Sequence, residues 1–268
     1  MSLSCGNRLG RYEVLGPIGA GGMGEVWRAR DTELDRQVAV KVLPAEVADS
    51  PERRKRFERE ARATAGLNHP NLLTIHDVGI EDGRPFIVTE LLEGETLRRM
   101  LRNRLPSYNM AVEWSLAVVH GLTAAHAKAI VHRDIKPDNL FLTTDNRVKI
   151  LDFGLAKILE ADLGDEDETA ALSTDTEAGA LLGTLGYMAP EQLRGEPVDP
   201  RTDVYCFGCV LFEMLTGRRP FAGGSSAEQV SAVLRDEPPP LNEAVPHPLQ
   251  AIVARCLEKK PAARYNSS

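Results

Sequence analysis

The sequence predicts an α+β fold of two lobes: a small antiparallel sheet of five strands with one helix, then a larger, mainly helical lobe. Three observations carry this. The first third is β-branched or alternates polar with apolar residues, with turn signals between the runs. From Gly94 onward the apolar spacing becomes helical. One stretch, residues 132–154, sets an acid, an amide and a second acid at fixed offsets.

Residues 1–11 read as an N-terminal extension, and strands follow at 12–18, 25–30 and 37–43. The glycine run from Gly19 through Gly21 to Gly24 joins the first two. A G-x-G-x-x-G run also opens dinucleotide-binding folds, but there a helix follows the glycines. Here residues 25–30 alternate as a strand, so the run reads as a hairpin lid. Its glycines let backbone N–H groups approach phosphate with no Cβ in the way.

A helix is expected next. Ser50 can cap it, Pro51 suits its first turn and Glu52 favours the positive end of its dipole. It extends to about Ala65, with Gly66 just beyond. The four basic residues Arg53, Arg54, Lys55 and Arg56 read as its solvated face rather than as a nucleic-acid patch. Strands at 72–79 and 85–90 flank the turn Glu81-Asp82-Gly83.

In the second lobe, residues 110–128 are apolar nearly all round and are predicted to be buried, as are 203–215. Further helices are expected near 227–235 and 248–257, with a loop at Pro238-Pro239-Pro240. Residues 155–182 have no sustained apolar period, which predicts a mobile loop.

The chain has 268 residues, 43% hydrophobic and 26% charged, as in ordinary globular proteins. Its net charge of −7 is concentrated in Glu160, Asp162, Asp165, Glu166, Asp167 and Glu168. The remainder is close to neutral, so no nucleic-acid partner is expected. No apolar run approaches the ~20 residues of a membrane span, and the first residues lack a secretory signal. A cytoplasmic location is expected. Cys5, Cys206, Cys209 and Cys256 show no disulfide or zinc spacing, and Cys206-x-x-Cys209 lies in an apolar run as small core residues.

The chemistry gathers at residues 132–154. Asn139 follows Asp134 by five positions, and Asp152 follows Asn139 by thirteen. Two short apolar runs joined by Asp145-Asn146 form a hairpin, which returns its second end to its first. Asp134, Asn139 and Asp152 can therefore converge. Three hard oxygen ligands near Lys136 suit Mg²⁺ and phosphate rather than Zn²⁺.

The run His132-Arg133-Asp134-x-Lys136-x-x-Asn139, with Asp152-Phe153-Gly154, resembles the catalytic and metal-binding segments of protein kinases. With the glycine run, Val38-Ala39-Val40-Lys41, Gly183-Thr184, Ala189-Pro190-Glu191 and Arg264, the likeness covers about residues 12–264. It is closest to the bacterial eukaryotic-like (Hanks-type) serine/threonine kinases. The resemblance implies a bilobal kinase domain over 12–268: small lobe 12–90, hinge 90–93, large lobe 94–268. The chain stops sooner after Arg264 than this pattern implies, which suggests that a last helix is truncated.

The resemblance also implies roles. Lys41, paired with Glu60, holds the α- and β-phosphates of ATP. Asp134 orients the acceptor hydroxyl and takes its proton, and Lys136 contacts the γ-phosphate. Asn139 and Asp152 bind Mg²⁺, for which Mn²⁺ can substitute. Ile18, Val26 and Ala39 cover adenine from one side and Phe141 from the other. The Glu90 carbonyl and the Leu92 N–H bind its edge, with a small Thr89 at the gatekeeper position. Thr184 bonds to Asp134 and Lys136, Glu191 pairs with Arg264, and Asp203 braces the catalytic backbone. Arg133 receives a phosphate placed on Thr174 or Thr176. Thr64, four after Glu60, stands where the pattern is usually apolar. Implied partners are Ser/Thr protein substrates, ATP and a second copy joined through the small lobe. Related bacterial kinases often continue into a membrane span, so the chain can be the cytosolic domain of an anchored protein.

Two rivals remain in view. An inactive nucleotide-binding scaffold would have lost Lys41, Asp134, Asn139 or Asp152. A small-molecule phosphotransferase would lack the Gly183-to-Glu191 segment and Arg264.

Overall fold

The computed structural model describes residues 3–21, 24–43, 61, 64–153 and 184–267. Contacts divide these into two units, one ending at Glu93 and one beginning at Gly94.

The first unit is an antiparallel sheet built from β1 (Arg8–Leu9), β2 (Tyr12–Gly21), β3 (Gly24–Asp31), β4 (Arg36–Val42), β5 (Ile75–Glu81) and β6 (Arg84–Glu90). The strand order is β1-β2-β3-β4-β6-β5. The described sheet thus has one strand more than the sequence predicts. The extra strand, β1, lies inside the expected N-terminal extension and pairs Leu9 with Tyr12. Two residues are too few for a period to register. β5 starts at Ile75 rather than at residue 72. The Leu72 N–H instead closes a turn onto the His69 carbonyl at 3.0 Å, and His69 Nδ1 accepts from the Asn71 N–H at 3.2 Å.

Alternation along β4 gives the sheet two faces. Val38, Val40 and Val42 join Leu9, Tyr12, Val14, Ala29, Phe86 and Val88 in one core. Ala39 and Lys41 point to the opposite face. Opposite Lys41 stand Val26 and Ile87, and opposite Ala39 stands Thr89. Ile87 packs there with Leu43 and Ala61. Ala61, Thr64 and Ala65 are helical. The rest of the helix expected over 50–65, including Glu60, lies outside the described residues.

The second unit starts with β7 (Gly94–Thr96), which the sequence reading placed in helical territory. It joins β8 (Leu140–Thr143) and β9 (Val148–Ile150) in the order β7-β8-β9. Its helices are α1 (Leu97–Asn103), α2 (Tyr108–His126), α3 (Pro190–Leu193), α4 (Pro200–Thr216), α5 (Ser226–Arg235) and α6 (His247–Cys256). Ser107 caps α2, its hydroxyl accepting from the Met110 N–H.

α2 is not buried all round, as its composition suggested. Ala111, Trp114, Ser115, Val118, Leu122 and Ala125 face inward, whereas Leu116 is 53% exposed. The outward side also carries Glu113, His120 and Thr123, a polar stripe that the high apolar content concealed. α4 does meet the expectation, with every residue from Thr202 to Leu215 buried. Asp199 caps it, Pro200 opens it and Gly217, at φ 73°, ends it in the left-handed region.

Candidate active site

In the first unit the sequence-predicted residues line one surface of the sheet. Val26, Ala39, Lys41 and Thr89 share a face through the β3–β4 and β4–β6 registers. Gly19 stands opposite Val26, and Gly21 opposite Gly24. Gly24 is needed for its backbone: φ is 110°, and a Cβ there would lie 2.1 Å from the Val42 carbonyl oxygen. At Gly19 an added Cβ meets nothing within 4 Å. Ile18, beside a bulge in β2, is 49% exposed. The Thr89 hydroxyl donates to the Glu90 carbonyl at 3.2 Å, and the Glu90 carboxylate accepts from the Thr74 N–H at 2.8 Å. Leu91 and Leu92 follow without regular structure.

In the second unit the sheet hairpin brings its ends together. The Leu151 N–H donates to the Asn139 carbonyl at 2.8 Å, so Asp152 emerges beside the turn that carries Asn139. Asp152 takes φ 49° and Arg133 takes φ 69°, both in the left-handed region that side chains disfavour. Buried Asp203 supports the preceding backbone. It accepts from the His132 N–H at 2.8 Å and the Arg133 N–H at 2.7 Å, and lies 2.7 Å from His126 Nε2.

His132 is locked between a donor and an acceptor. Its Nδ1 accepts from the Asp134 N–H at 3.2 Å, and its Nε2 lies 2.8 Å from the Leu151 carbonyl. A carbonyl only accepts, so the ring proton belongs on Nε2. Phe153 packs on this ring at 4.6 Å between centroids.

Side chains then converge on Asp134. Asn139 Nδ2 donates to its carbonyl and to its Oδ2, each at 2.8 Å. Lys136 Nζ lies 2.9 Å from the same Oδ2 and 3.4 Å from Thr184 Oγ1. Oδ1 of Asp134 receives no hydrogen bond among the described residues and remains able to accept a proton. With both amide hydrogens on Asp134, Asn139 presents Oδ1 as a hard acceptor. That donor, with the Asp152 carboxylate, fits a Mg²⁺ held partly by phosphate oxygens. Among the described residues no group of three or more His, Cys, Asp or Glu would hold a metal unaided.

Phe141, on β8, is half-buried opposite Lys149 and Thr96. Arg133 exposes its side chain and makes no ion pair among the described residues. Glu191 and Arg264 meet in a two-point pair, at 2.7 and 2.8 Å, with the Thr202 hydroxyl on Glu191 at 2.8 Å. Burial opposes ionisation of Glu191, but the bonds from Arg264 hold its carboxyl below the usual carboxylate range. Thr64 is buried. Cys206, Cys209 and Cys256 are buried, and burial raises the pKa of all three thiols. Glu60, Thr174 and Thr176 lie outside the described residues, as does the loop expected over 155–182.

The sequence reading missed two groups. Gln192 Nε2 donates to the Arg133 carbonyl at 2.8 Å, joining α3 to the backbone just ahead of Asp134. Arg98, on α1, bonds to Asp138, Glu213 and Tyr187. Neither has a local period that would flag it.

These arrangements can be set against known proteins. A probable serine/threonine-protein kinase of Streptomyces coelicolor is 42% identical over 97% of this chain and 38% of its own length. The serine/threonine-protein kinase PknA of Mycobacterium tuberculosis is 40% identical over 96% of this chain and 59% of its own length. PknB of Mycobacterium leprae is 39% identical over 96% and 41%. The chain therefore spans between 38% and 59% of these curated relatives. The crystal structure of the Mycobacterium tuberculosis PknI kinase domain matches with a TM-score of 0.74 at 26% identity, covering 99% of this chain and 95% of that one. The model of the protein kinase domain matches residues 12–268, and the chain belongs to that family.

Proposed function

We propose that this domain transfers the γ-phosphoryl group of Mg·ATP to Ser or Thr hydroxyls of proteins, its own loop among them. The observation that carries this is the convergence of Asn139 and Lys136 on Asp134, with Thr184 bonded to Lys136 rather than to Asp134 itself. Oδ2 of Asp134 is held by two donors, which aims the open Oδ1 at an incoming hydroxyl. Asp134 orients that hydroxyl and takes its proton as the new O–P bond forms and the bond from the γ-phosphorus to the bridging oxygen breaks, with ADP as the leaving group. Lys136, shared between Asp134 and Thr184, supplies positive charge where the transferred group passes. Lys41 and the Gly19–Gly24 hairpin bind the other phosphates, and Ile18, Val26, Ala39, Glu90, Leu92 and Phe141 receive adenine. Asn139 and Asp152 would hold Mg²⁺, which would neutralise phosphate charge there. Catalysis then rests on positioning and electrostatics rather than covalent chemistry.

We assign residues 90–93 as the hinge, which agrees with the division of contacts after Glu93. Exposed Arg133, without an acidic partner among the described residues, suits a phosphate on Thr174 or Thr176. A cytoplasmic setting fits the four free cysteines and the demand for ATP. Among the described residues no helix is long and apolar enough to cross a membrane. Exposed Leu15 and Leu34 (41% and 59%) support pairing of two copies through the small unit. Sedimentation of Leu34→Glu against the parent tests that pairing.

Intact mass after incubation with Mg·ATP tests the activity, with Asp134→Asn alongside. Phosphate-sized gains in the parent alone support the reading. A parent that neither gains mass nor phosphorylates a protein acceptor overturns it.

A further inference from the structure

One charge cluster beside the catalytic turn is not used by the mechanism above. Arg98 is nearly buried, its side chain 13% exposed. It donates from Nε to Asp138 Oδ2 at 3.1 Å, from Nη1 to Glu213 Oε1 at 2.7 Å and from Nη2 to the Tyr187 hydroxyl at 2.5 Å. Tyr187 in turn donates to Glu213 Oε2. Two carboxylates and a phenol from three separate parts of the chain thus face one guanidinium. The fork of Arg suits such an arrangement, and an ammonium cannot reproduce it.

The location matters as much as the charge. Asp138 stands on the same 3₁₀ turn as Asn139 and four residues after Asp134, a chain length that spans at most ~14 Å. Tyr187 follows Thr184 by three residues, and Thr184 bonds to Lys136. An acceptor peptide with its hydroxyl at Asp134 covers that distance in about four extended residues. The Asp138 side chain is 49% exposed, so the cluster opens to solvent. Without Arg98 the cluster would be an acidic socket for a guanidinium, within reach of a peptide side chain.

We propose that Arg98 fills from within the chain a socket that would otherwise accept an arginine of the acceptor, and so turns acceptor preference away from arginine. The proposal rests on the kinase reading. With Arg98 in place its charge meets both carboxylates and all three acceptors are already bonded, while the Arg219 guanidinium lies 5.4 Å from the centre of the Tyr187 ring. An incoming arginine would have to displace a side chain tethered at high effective concentration.

The test compares the parent with Arg98→Ala on acceptor peptides carrying a single Arg at each of the four positions on either side of the Ser or Thr. Alanine-only peptides are the reference. The parent is expected to show no gain in kcat/KM from any arginine. The variant is expected to gain roughly tenfold at one position or more, because its unpaired acceptors reward a matching donor. Equal ratios in parent and variant, with only a lower melting temperature for the variant, would overturn the proposal and leave Arg98 as a brace. If Arg98→Ala does not fold, Arg98→Lys takes its place, since one ammonium leaves part of the socket unfilled. A second measurement needs no catalysis: N-ethylguanidinium, against tetramethylammonium at equal ionic strength, should raise the variant's melting temperature and not the parent's. If no peptide is phosphorylated by either protein, the kinase reading fails, and this shift alone decides whether the socket exists. No such shift then overturns the socket too.

Discussion

The Asp203 carboxylate accepts the backbone N–H of Arg133 at 2.7 Å, across seventy residues of sequence. Its other oxygen serves the His132 N–H and faces His126. This fixes the backbone just ahead of Asp134, where Arg133 holds an unfavourable φ. Replacement by Ala strands buried donors, each costing about 1–3 kcal/mol. Asp203→Ala is therefore expected to lower stability by about 3 kcal/mol and to reduce autophosphorylation more than tenfold. Urea unfolding and intact mass measure the two effects. A variant that unfolds like the parent would show that the contact carries little weight.

Gly24 and Gly19 make a contrasting pair. A Cβ at Gly24 meets both an unfavourable φ and the Val42 carbonyl, whereas one at Gly19 meets open space. Gly24→Ala is expected to cost about 1–3 kcal/mol and to raise the KM for ATP. Gly19→Ala should leave stability within about 0.5 kcal/mol. Any KM change at Gly19 would then report approach of phosphate to the backbone. Thermal melts and ATP titrations of the two variants distinguish steric from ligand effects.

What the sequence discloses follows from the range of each signal. Strands β2, β3 and β4 announce themselves by alternation, because one face of each packs in a core, whereas β6 is a short apolar run buried on both faces. The turn from Asp134 to Asn139 is legible because its residues lie close together in sequence, with Asn139 bonding back to Asp134. Arg98 is illegible for the opposite reason. Its partners Glu213 and Tyr187 lie 115 and 89 residues away, and nothing local in either segment marks the encounter. Likewise, a separation of 59 positions between Gln192 and Arg133 hides their contact. The outer face of α2 misled because Leu116, Val112 and Val119 raise its apolar count, although polar Glu113, His120 and Thr123 stand on the same side.

The thiols divide sharply by environment. Cys5 is exposed, while Cys206, Cys209 and Cys256 are buried. Burial favours the neutral thiol over the reactive thiolate, and it pushes Cys256 up to about 12. A disulfide-exchange reagent at pH 8 should label one thiol per native chain and all four after unfolding. Rapid native labelling of Cys206 and Cys209 would show that α4 opens far more readily than its burial implies.

The Glu191–Arg264 pair sets an acid limit on the second unit. The pH response of the pair is that of the Glu191 carboxylate. Burial alone would raise its pKa, but the Arg264 bonds, the backbone and Thr202 together lower it below the ordinary range of a glutamate. With the folded pKa below the unfolded one, the unfolded chain binds more protons in that window. The contribution to stability is then complete above the unfolded pKa and is lost as pH falls through the folded one. Glu191→Gln removes the titrating group and leaves Arg264 buried against a neutral amide, at a cost of about 3–5 kcal/mol at pH 7. The difference between parent and variant should therefore shrink as pH drops from 5 to 3. Urea midpoints taken across that range test it. A constant difference would mean that Glu191 has the same pKa folded and unfolded, and that the pair owes its weight to packing rather than charge.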